Sequence, residues 1–396
     1  MNDQVTVGRD AKEDLQVTLT RAPGQGVSIE LNSTVKGMYG DKILALVKET
    51  AATLGLEDMT IRVDDRGALD WVTQARVEAA ARALDPELST EALPEMHGNN
   101  DYAVERDRMR RSRLYLPGNA PDLMLGAGLF TPDGVILDLE DAVAPPQKPA
   151  ARILVRNALR AVDFGGAERM VRINQIPAGL DDIPFMVGHN VHTFLVPKVE
   201  SADQIIAVVE KIKSLTDRTI FLMPILESAL GIIKAYEIAS AHESVVALAF
   251  GAEDFTKDIG AARTDEGTES FVARSQLVLA ARAAGVQPID TVYSDVANEA
   301  GLLASTREAI ALGFDGKGCI HPRQIMVIHQ AFRPADKDVI YALKVKRALE
   351  TAEARGDGVI SIGSKMIDPP VVGRALRVLK LAEFYKIDLE ALEVTK

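Results

Sequence analysis

From Ser112 to Ile320 the chain repeats one pattern, in which a short apolar run is followed by a polar turn and an amphipathic helical stretch. Short apolar runs bounded by turns are typical of strands buried in a parallel sheet. Eight repeats predict an α/β fold, a closed (β/α)8 TIM barrel rather than an open doubly wound sheet. No Gly-x-Gly-x-x-Gly follows a run, which argues against a Rossmann domain. The runs are Leu114–Leu116, Val135–Leu139, Met170–Ile173, Thr193–Val196, Ile220–Leu226, Val245–Phe250, Ile289–Tyr293 and Lys317–Ile320.

Before the barrel, residues 1–86 are predicted to form a small α+β domain. Apolar and polar residues alternate over Leu15–Ala22 and Gly26–Asn32, and Pro23-Gly24 between them predicts an antiparallel hairpin. Apolar residues at helical spacing and their flanking signals define the remaining elements. These are a helix from Asp41 closed by Gly55, a strand at Met59–Val63 and an Ala-rich helix from Asp70.

Residues 87–111 lack clear periodicity and are interpreted as a linker, and the barrel is assigned to residues 112–330. The basic run Arg106–Arg113 is interpreted as a solvated part of this linker, with contact to a ligand phosphate as the alternative. Residues 331–396 are mostly helical, with a short strand at Val359–Ser361. This is more chain than a barrel needs, and we expect it to form a helical lid and oligomerisation segment.

Composition excludes several classes of function. The net charge of −12 argues against a general affinity for nucleic acid, and no apolar run is long enough to span a bilayer. Met1–Leu15 has no apolar stretch typical of a secretory signal, and the one cysteine, Cys319, cannot form an intramolecular disulfide. We therefore expect a cytoplasmic protein. His189 and His192 lie close together but lack an evident third zinc ligand.

Polar side chains follow the eight apolar runs, where the chemistry of such barrels is found. Carboxylates are frequent among them, with one arginine and one lysine, and an oxygen-rich set of this kind suits Mg²⁺. The alternative is that several of these carboxylates cap the helices that follow the strands. The segments are Pro117-Gly118-Asn119, Asp138-Leu139-Glu140-Asp141, Arg172-Ile173-Asn174, Pro197-Lys198, Glu227-Ser228, Gly251-Ala252-Glu253-Asp254, Asp290-Thr291 and His321-Pro322.

These segments, in this order, resemble the citrate lyase β-subunit family, the HpcH/HpaI aldolase-like proteins that include citryl-, malyl- and citramalyl-thioester lyases. The resemblance extends from about Ser112 to the end of the sequence. The motifs that carry it are Leu137-Asp138-Leu139-Glu140-Asp141, Val171-Arg172-Ile173-Asn174, Ile225-Leu226-Glu227-Ser228-Ala229-Leu230-Gly231, Gly251-Ala252-Glu253-Asp254, Asp290-Thr291-Val292-Tyr293-Ser294-Asp295, Gly313-Phe314-Asp315-Gly316-Lys317 and Lys365-Met366-Ile367-Asp368.

The resemblance implies roles for individual residues. Glu227 and Asp254 become the protein ligands of Mg²⁺, and Glu227 also contacts the substrate. Arg172 becomes the electrophilic group beside the thioester. Asp368 becomes the acid/base on a lid that closes over a neighbouring subunit, which implies a homotrimer or homohexamer. Two further sets are expected nearby: Asp138, Glu140 and Asp141 holding metal-bound water, and Pro117, Gly118 and Asn119 contacting substrate.

The N-terminal domain resembles the citrate lyase γ subunit, an acyl carrier protein that bears a CoA-like arm on a serine before the first strand. The matching motifs are Ile29-Glu30-Leu31-Asn32-Ser33, Gly40-Asp41 and Val63-Asp64-Asp65-Arg66-Gly67-Ala68-Leu69-Asp70. The corresponding segment here, Gly8–Asp14, contains no serine, and Lys12 or a neighbour takes its place. An amine cannot form the phosphodiester, so we expect no arm and interpret the domain as an assembly or docking module.

The resemblance implies an Mg²⁺-dependent carbon–carbon lyase that cleaves a 3-hydroxyacyl thioester to acetyl-CoA and a 2-keto acid. Citryl-CoA, citramalyl-CoA and malyl-CoA remain open as substrates, and free CoA thioesters are favoured over a separate carrier. Two alternatives remain: a thioesterase or a malate or citramalate synthase using the same site, and a non-catalytic assembly subunit of a lyase complex.

Overall fold

The computed structural model describes residues 3–355, 360–362 and 365–394, and the chain divides into two compact units that meet in sequence at Ile325 and Met326. The first unit begins with a four-stranded sheet in the order β1-β2-β4-β3, on which two helices pack. Leu15, Val17, Leu19, Ile61 and Val63 are fully buried in this domain. Its elements are β1 (Gln4–Gly8), β2 (Leu15–Arg21), β3 (Ser28–Ser33), α1 (Lys36–Thr53), β4 (Met59–Asp65) and α2 (Asp70–Leu84).

The predicted hairpin is wrong. β2 and β3 are not neighbours, because β4 lies between them, antiparallel to β2 and parallel to β3. The chain reaches β4 through α1, so β3, α1 and β4 form a β-α-β unit. Alternation identified the strands, but it carries no information about which strand lies beside which. Helix α1 also begins at Lys36, before the predicted Asp41.

Eight parallel strands close into a barrel in the order β5 to β12, which confirms the predicted fold. The barrel is filled by apolar side chains that point inward, among them Ile136, Met170, Leu195, Met223 and Ile289. The strands are β5 (Ser112–Pro117), β6 (Gly134–Asp138), β7 (Glu168–Arg172), β8 (Thr193–Val196), β9 (Phe221–Leu226), β10 (Ala247–Phe250), β11 (Gln287–Asp290) and β12 (Gly316–Cys319).

Helices follow the strands, and a capping box of Ser201 and Gln204 begins α5. The helices that contact the barrel strands bury an apolar face, as Ile153, Leu154 and Leu159 do in α4. The helices are α3 (Pro121–Met124), α4 (Lys148–Ala161), α5 (Ala202–Lys213), α6 (Ala229–Ile233), α7 (Ala235–Ala239), α8 (Ala252–Asp258), α9 (Phe271–Ala283), α10 (Glu299–Leu312) and α11 (Arg323–Phe332), and short 3₁₀ helices occupy 98–100, 127–130, 145–147, 178–181 and 183–185.

In the basic run Arg106–Arg113, the arginines from Arg110 onward are buried rather than solvated, whereas Arg106 is exposed. Arg110 is fully buried, and its Nε and Nη2 donate to Glu168 at 2.7 and 3.1 Å. Arg111 pairs in the same way with Asp133. Both carboxylates lie at the starts of strands, so these arginines close the opposite end of the barrel. Charge density alone could not distinguish a solvated run from one that is neutralised inside the fold.

The second unit has its own apolar core. Ala342 and Val345 of α12 pack with Ile367, Val372 and Ala375. Among the described residues, no helix is long and apolar enough to cross a membrane. The predicted strand at Val359–Ser361 is observed from Ile360, and Val359 lies outside the described residues. The elements are α12 (Asp336–Arg355), β13 (Ile360–Ile362), β14 (Lys365–Ile367), α13 (Pro369–Phe384) and α14 (Leu389–Val394).

Candidate active site

Arg172, the last residue of β7, is fixed by a carboxylate from the neighbouring strand. Its Nε and Nη2 donate to the two oxygens of Asp138 at 2.7 and 2.6 Å, and its Nη1 lies 3.0 Å from Glu140. The guanidinium also lies 5.3 Å from the ring centre of Tyr115. Burial opposes its charge, but the hydrogen bonds to Asp138 overcome that effect and raise the pKa of Arg172. The arginine is therefore a permanent, oriented cation at the end of the barrel.

Lys198 also belongs to this site. The sequence predicted that it follows a strand but assigned it no role. It follows β8 with a φ of 52°, and its Nζ donates to Glu140 at 2.6 Å. The same Nζ lies 3.6 Å from both Asp141 and Asp254. Burial would lower the pKa of Lys198, but the hydrogen bond to Glu140 and the nearby carboxylates raise it. Lys198 is thus an ammonium group at the centre of the carboxylates.

Glu227 follows β9, and 7% of its surface is exposed. Its Oε1 accepts a hydrogen bond from the backbone N–H of Lys198 at 2.8 Å. Burial, together with the negative charges of Asp254 and Glu140, raises the pKa of Glu227 to about 8. A Cβ at position 251 would lie 2.4 Å from Glu227 Oε2, so Gly251 leaves the space that this carboxylate occupies. The surroundings of Glu227 therefore disfavour its ionised form.

Asp254 lies in the first turn of α8, directly after β10, and is about one-third exposed. Among the described residues, no group of three or more carboxylate, histidine or cysteine side chains forms a complete metal cage. Mg²⁺ does not need such a cage, because it retains several waters and commonly takes one or two protein carboxylates. Glu227 and Asp254 fit such an ion. The negative charge of Asp254 adds to burial in raising the pKa of Glu227, and a bound cation would offset that repulsion.

Glu140 and Asp141 connect the two cations. Glu140 contacts both Arg172 and Lys198, and burial raises its pKa. Burial opposes the charge of Asp141, but its contact with Glu140 and the charges of Arg172 and Lys198 lower the pKa of Asp141. The structure therefore brings together Asp138, Glu140, Asp141, Arg172, Glu227 and Asp254 around Lys198.

The segment Pro117-Gly118-Asn119 lies beside this cluster, at the end of β5. Gly118 N–H donates to the backbone oxygen of Asp138 at 2.8 Å, and a Cβ on Gly118 would lie 2.5 Å from that oxygen. Any larger residue would push the segment away from β6. The amide of Asn119 donates to the side chain of Gln147.

Asp290, also a strand-end carboxylate, belongs to a different network. It is fully buried, and it accepts hydrogen bonds from Arg274 at 3.0 Å and from Lys317 at 2.9 Å. Burial is outweighed by these two cations, which lower the pKa of Asp290. A cavity of about 300 Å³ next to it is lined by Glu253, Arg263 and other polar residues, but not by Arg172 or Glu227. This network stabilises the barrel and holds no free acid/base group.

Asp368 lies in the second unit. It precedes α13 as the N-cap residue, and its backbone oxygen accepts a hydrogen bond from Val371 at 2.9 Å. The motif Lys365–Ile367 before it forms β14, which pairs with β13. Asp368 therefore stands at a defined turn between a strand and a helix.

Comparison with known proteins identifies the barrel. Residues 111–322 match the family model described as HpcH/HpaI aldolase/citrate lyase, more than half of the chain. The chain belongs to this family. It is 40% identical over 287 residues to a citrate lyase subunit beta from Leuconostoc mesenteroides, covering 70% of this chain and 95% of that protein. It is 34% identical to a (3S)-malyl-CoA thioesterase from Cereibacter sphaeroides, covering 69% and 94%.

Solved structures also match this chain, and a separate family model matches its N-terminal residues. A CitE protein from Mycobacterium tuberculosis, solved with magnesium, acetoacetate and coenzyme A, is 32% identical with a TM-score of 0.58. That match covers 70% of this chain and all of that one. Residues 2–84 match an acyl carrier model described as the malonate decarboxylase delta subunit. Both resemblances stated from the sequence are thus confirmed.

Proposed function

We propose that this chain is an Mg²⁺-dependent carbon–carbon lyase that cleaves a 3-hydroxyacyl-CoA thioester to acetyl-CoA and a 2-keto acid. The observation that carries the proposal is that two carboxylates and a firmly paired arginine lie at the same end of the barrel. Glu227 and Asp254 supply carboxylates for a metal, while Arg172 is held as a cation by both oxygens of Asp138. The family relatives named as citrate lyase and as a complex with coenzyme A support the same chemistry.

Each residue then has a role in the cleavage. Bound Mg²⁺ would act as a Lewis acid toward the 3-hydroxyl and an adjacent carboxylate of the substrate. Asp368 takes the hydroxyl proton, the bond between C2 and C3 breaks, and its electron pair moves into a thioester enolate. Arg172 stabilises the enolate oxygen with its charge and N–H donors. The proton returns to C2, so the products are the acetyl thioester and the keto acid.

Several finer assignments belong to this proposal. Asp138, Glu140 and Asp141 orient Arg172, Lys198 and metal-bound water, and the segment Pro117-Gly118-Asn119 contacts the substrate. We also propose a homotrimer or homohexamer, in which Asp368 acts on a neighbouring subunit, and a cytoplasmic setting. Cys319 is a buried thiol, and burial raises its pKa to about 12.

A panel of citryl-, citramalyl- and malyl-CoA tests the reaction. We expect Mg²⁺-dependent release of oxaloacetate, pyruvate or glyoxylate from at least one of them, together with intact acetyl-CoA. Omission of Mg²⁺ with added chelator is the control. Absence of keto acid from all three would refute the lyase proposal.

The second candidate is a thioesterase, which the similarity to a (3S)-malyl-CoA thioesterase favours. The same panel separates the two reactions, because a thioesterase releases free CoA and leaves the carbon chain whole. A thiol reagent measures free CoA, and chromatography measures acetyl-CoA. Free CoA without keto acid would assign the site to hydrolysis, whereas Mg²⁺ binding with no turnover of any thioester would favour a non-catalytic assembly subunit.

A further inference from the structure

The carrier-like N-terminal domain is attached to the barrel by buried charge. Helix α2 packs on α4 of the barrel, and Glu78 of α2 binds Arg156 of α4 through both oxygens, at 2.9 and 2.6 Å. Both side chains are fully buried. If the two domains separated, Glu78 and Arg156 would lose each other as partners. A charge that stays buried without its partner strongly destabilises a protein. The domain is therefore a fixed part of the first unit, unlike a carrier that must move between partners.

Two arginines of this fixed domain converge on one backbone atom of the candidate active site. Arg9 Nη1 and Arg76 Nη2 donate to the backbone oxygen of Asn119, at 2.9 and 3.2 Å. Arg76 is itself oriented by Asp14, whose oxygens accept from it at 2.9 and 2.8 Å, and both side chains are buried. A guanidinium held by a buried carboxylate is a rigid donor. Asn119 is thus held from the side of the N-terminal domain.

The same segment is held from the other side by the barrel. Gly118 N–H donates to the backbone oxygen of Asp138, whose carboxylate binds Arg172. Residues 118 and 119 therefore lie between the N-terminal domain and the residue that orients the candidate electrophile. A shift of this segment would change the wall of the site.

We propose that Arg9 and Arg76 are positioning residues, through which the N-terminal domain braces the segment Pro117-Gly118-Asn119 for substrate binding. The segment Gly8–Asp14, where the resembling carriers bear their arm, here supplies Arg9 and Asp14 to this brace. The domain acts on the thioester site by holding its wall instead of delivering the acyl group. This proposal rests on the proposed function for its kinetic consequence, but its structural consequence is independent of turnover.

Arg9→Ala in the full chain tests the brace. We expect KM for the cleaved CoA thioester to rise about fivefold, the size expected when one hydrogen bond is lost while Arg76 keeps the other. The kcat should change less than threefold, because Arg172 retains both bonds to Asp138. Hydrogen exchange at the Gly118 amide should become faster. Arg9→Lys, which keeps a donor, should recover part of the KM.

Arg62→Ala is the matched control, because this exposed arginine of the same domain pairs with Asp64 within that domain. The proposal would be overturned if Arg9→Ala kept the wild-type KM and the wild-type hydrogen-exchange rate of the Gly118 amide. Equal changes of both quantities in Arg62→Ala would also overturn it. If the wild-type protein cleaves no thioester, the proposed function fails, and the hydrogen-exchange rate of the Gly118 amide alone tests the brace. Faster exchange in Arg9→Ala then supports the brace, and unchanged exchange rejects it.

Discussion

Replacement of Glu78 by alanine is expected to loosen the N-terminal domain from the barrel. The carboxylate of Glu78 accepts four hydrogen bonds, two from Arg156, one from Arg82 and one from the backbone N–H of Ala92. Burial alone would raise the pKa of Glu78, but Arg156 and the other donors lower it. The ionised carboxylate of Glu78 is therefore stabilised by these donors inside the interface.

The magnitude follows from what Glu78→Ala leaves behind. Arg156 stays fully buried, with Glu91 at 3.0 Å and the side chain of Asn157 as remaining acceptors. Removing one partner of a buried ion pair costs about 3–5 kcal/mol of unfolding free energy. Because Glu91 compensates part of the charge, we expect a loss near 3 kcal/mol, the lower end of that range.

Trp71 provides the assay, since it is the single tryptophan and lies on α2 at this interface. It is buried, and its backbone oxygen accepts a hydrogen bond from Asn157 of α4 at 3.2 Å. In the wild-type protein, urea unfolding followed by Trp71 fluorescence and by circular dichroism should coincide. In Glu78→Ala the fluorescence change should come first. Glu49→Ala, an exposed glutamate of α1, is the control.

The pH dependence checks the cause. The pKa of Glu78 is lowered in the folded state, so its contribution is present above the unfolded carboxyl pKa of about 4.3 and is lost as pH falls through the folded value. The difference between Glu78→Ala and wild type should therefore shrink below about pH 4. A difference under about 1 kcal/mol at pH 7 would refute the buried-pair argument.

Four further outcomes are expected. Glu227→Ala or Asp254→Ala should reduce Mg²⁺-dependent turnover at least about 100-fold with an unchanged circular dichroism spectrum, and wild-type rates in both would reject the metal assignment. Arg172→Lys should lower kcat about 100-fold, since lysine cannot form the paired bonds to Asp138, and a rate within threefold of wild type would contradict this. Burial lowers the pKa of His192 to about 3, so the unfolded chain binds the proton first, and unfolding free energy should fall as pH drops below about 6.5. Urea titrations at pH 7 and 5.5 should show a smaller fall for His192→Gln than for wild type, and equal falls would contradict the assignment. Mixed Arg172→Ala and Asp368→Asn subunits should regain activity if Asp368 acts across subunits, and no recovery despite subunit exchange would argue against a shared site.

The barrel was predictable because its signal is local. Each strand, such as β8 or β9, is an apolar run whose length and flanking turns can be seen without its neighbours. Carboxylates at strand ends were predictable for the same reason, since closure of a parallel barrel brings all those ends to one face. Geometry placed Asp138, Arg172 and Glu227 at strand ends, as it did Asp290, whereas their roles came from the resemblance to the citrate lyase β-subunit family.

What the sequence could not show depends on contacts between distant residues. The position of β4 between β2 and β3, the neutralisation of Arg110 by Glu168, and the place of Lys198 among three carboxylates all involve partners far apart in the chain. A lysine after a strand has no periodic signature, because its partners lie on other strand ends. The same holds for the contact of Arg9 with Asn119, 110 residues away.

Charge balance explains why a divalent ion suits this site when a lysine is already present. Two cations face five carboxylates, which leaves three negative charges in excess if all are ionised, and this excess adds to burial in raising the pKa of Glu227. Lys198 lies 2.6 Å from Glu140 but 3.6 Å from Asp254, so its ammonium mainly neutralises Glu140. In the proposed site the oxygens of Asp254 and Glu227 bind Mg²⁺, whose charge would reduce the excess to one and lower the pKa of Glu227. The five carboxylates are Asp138, Glu140, Asp141, Glu227 and Asp254, and the two cations are Arg172 and Lys198.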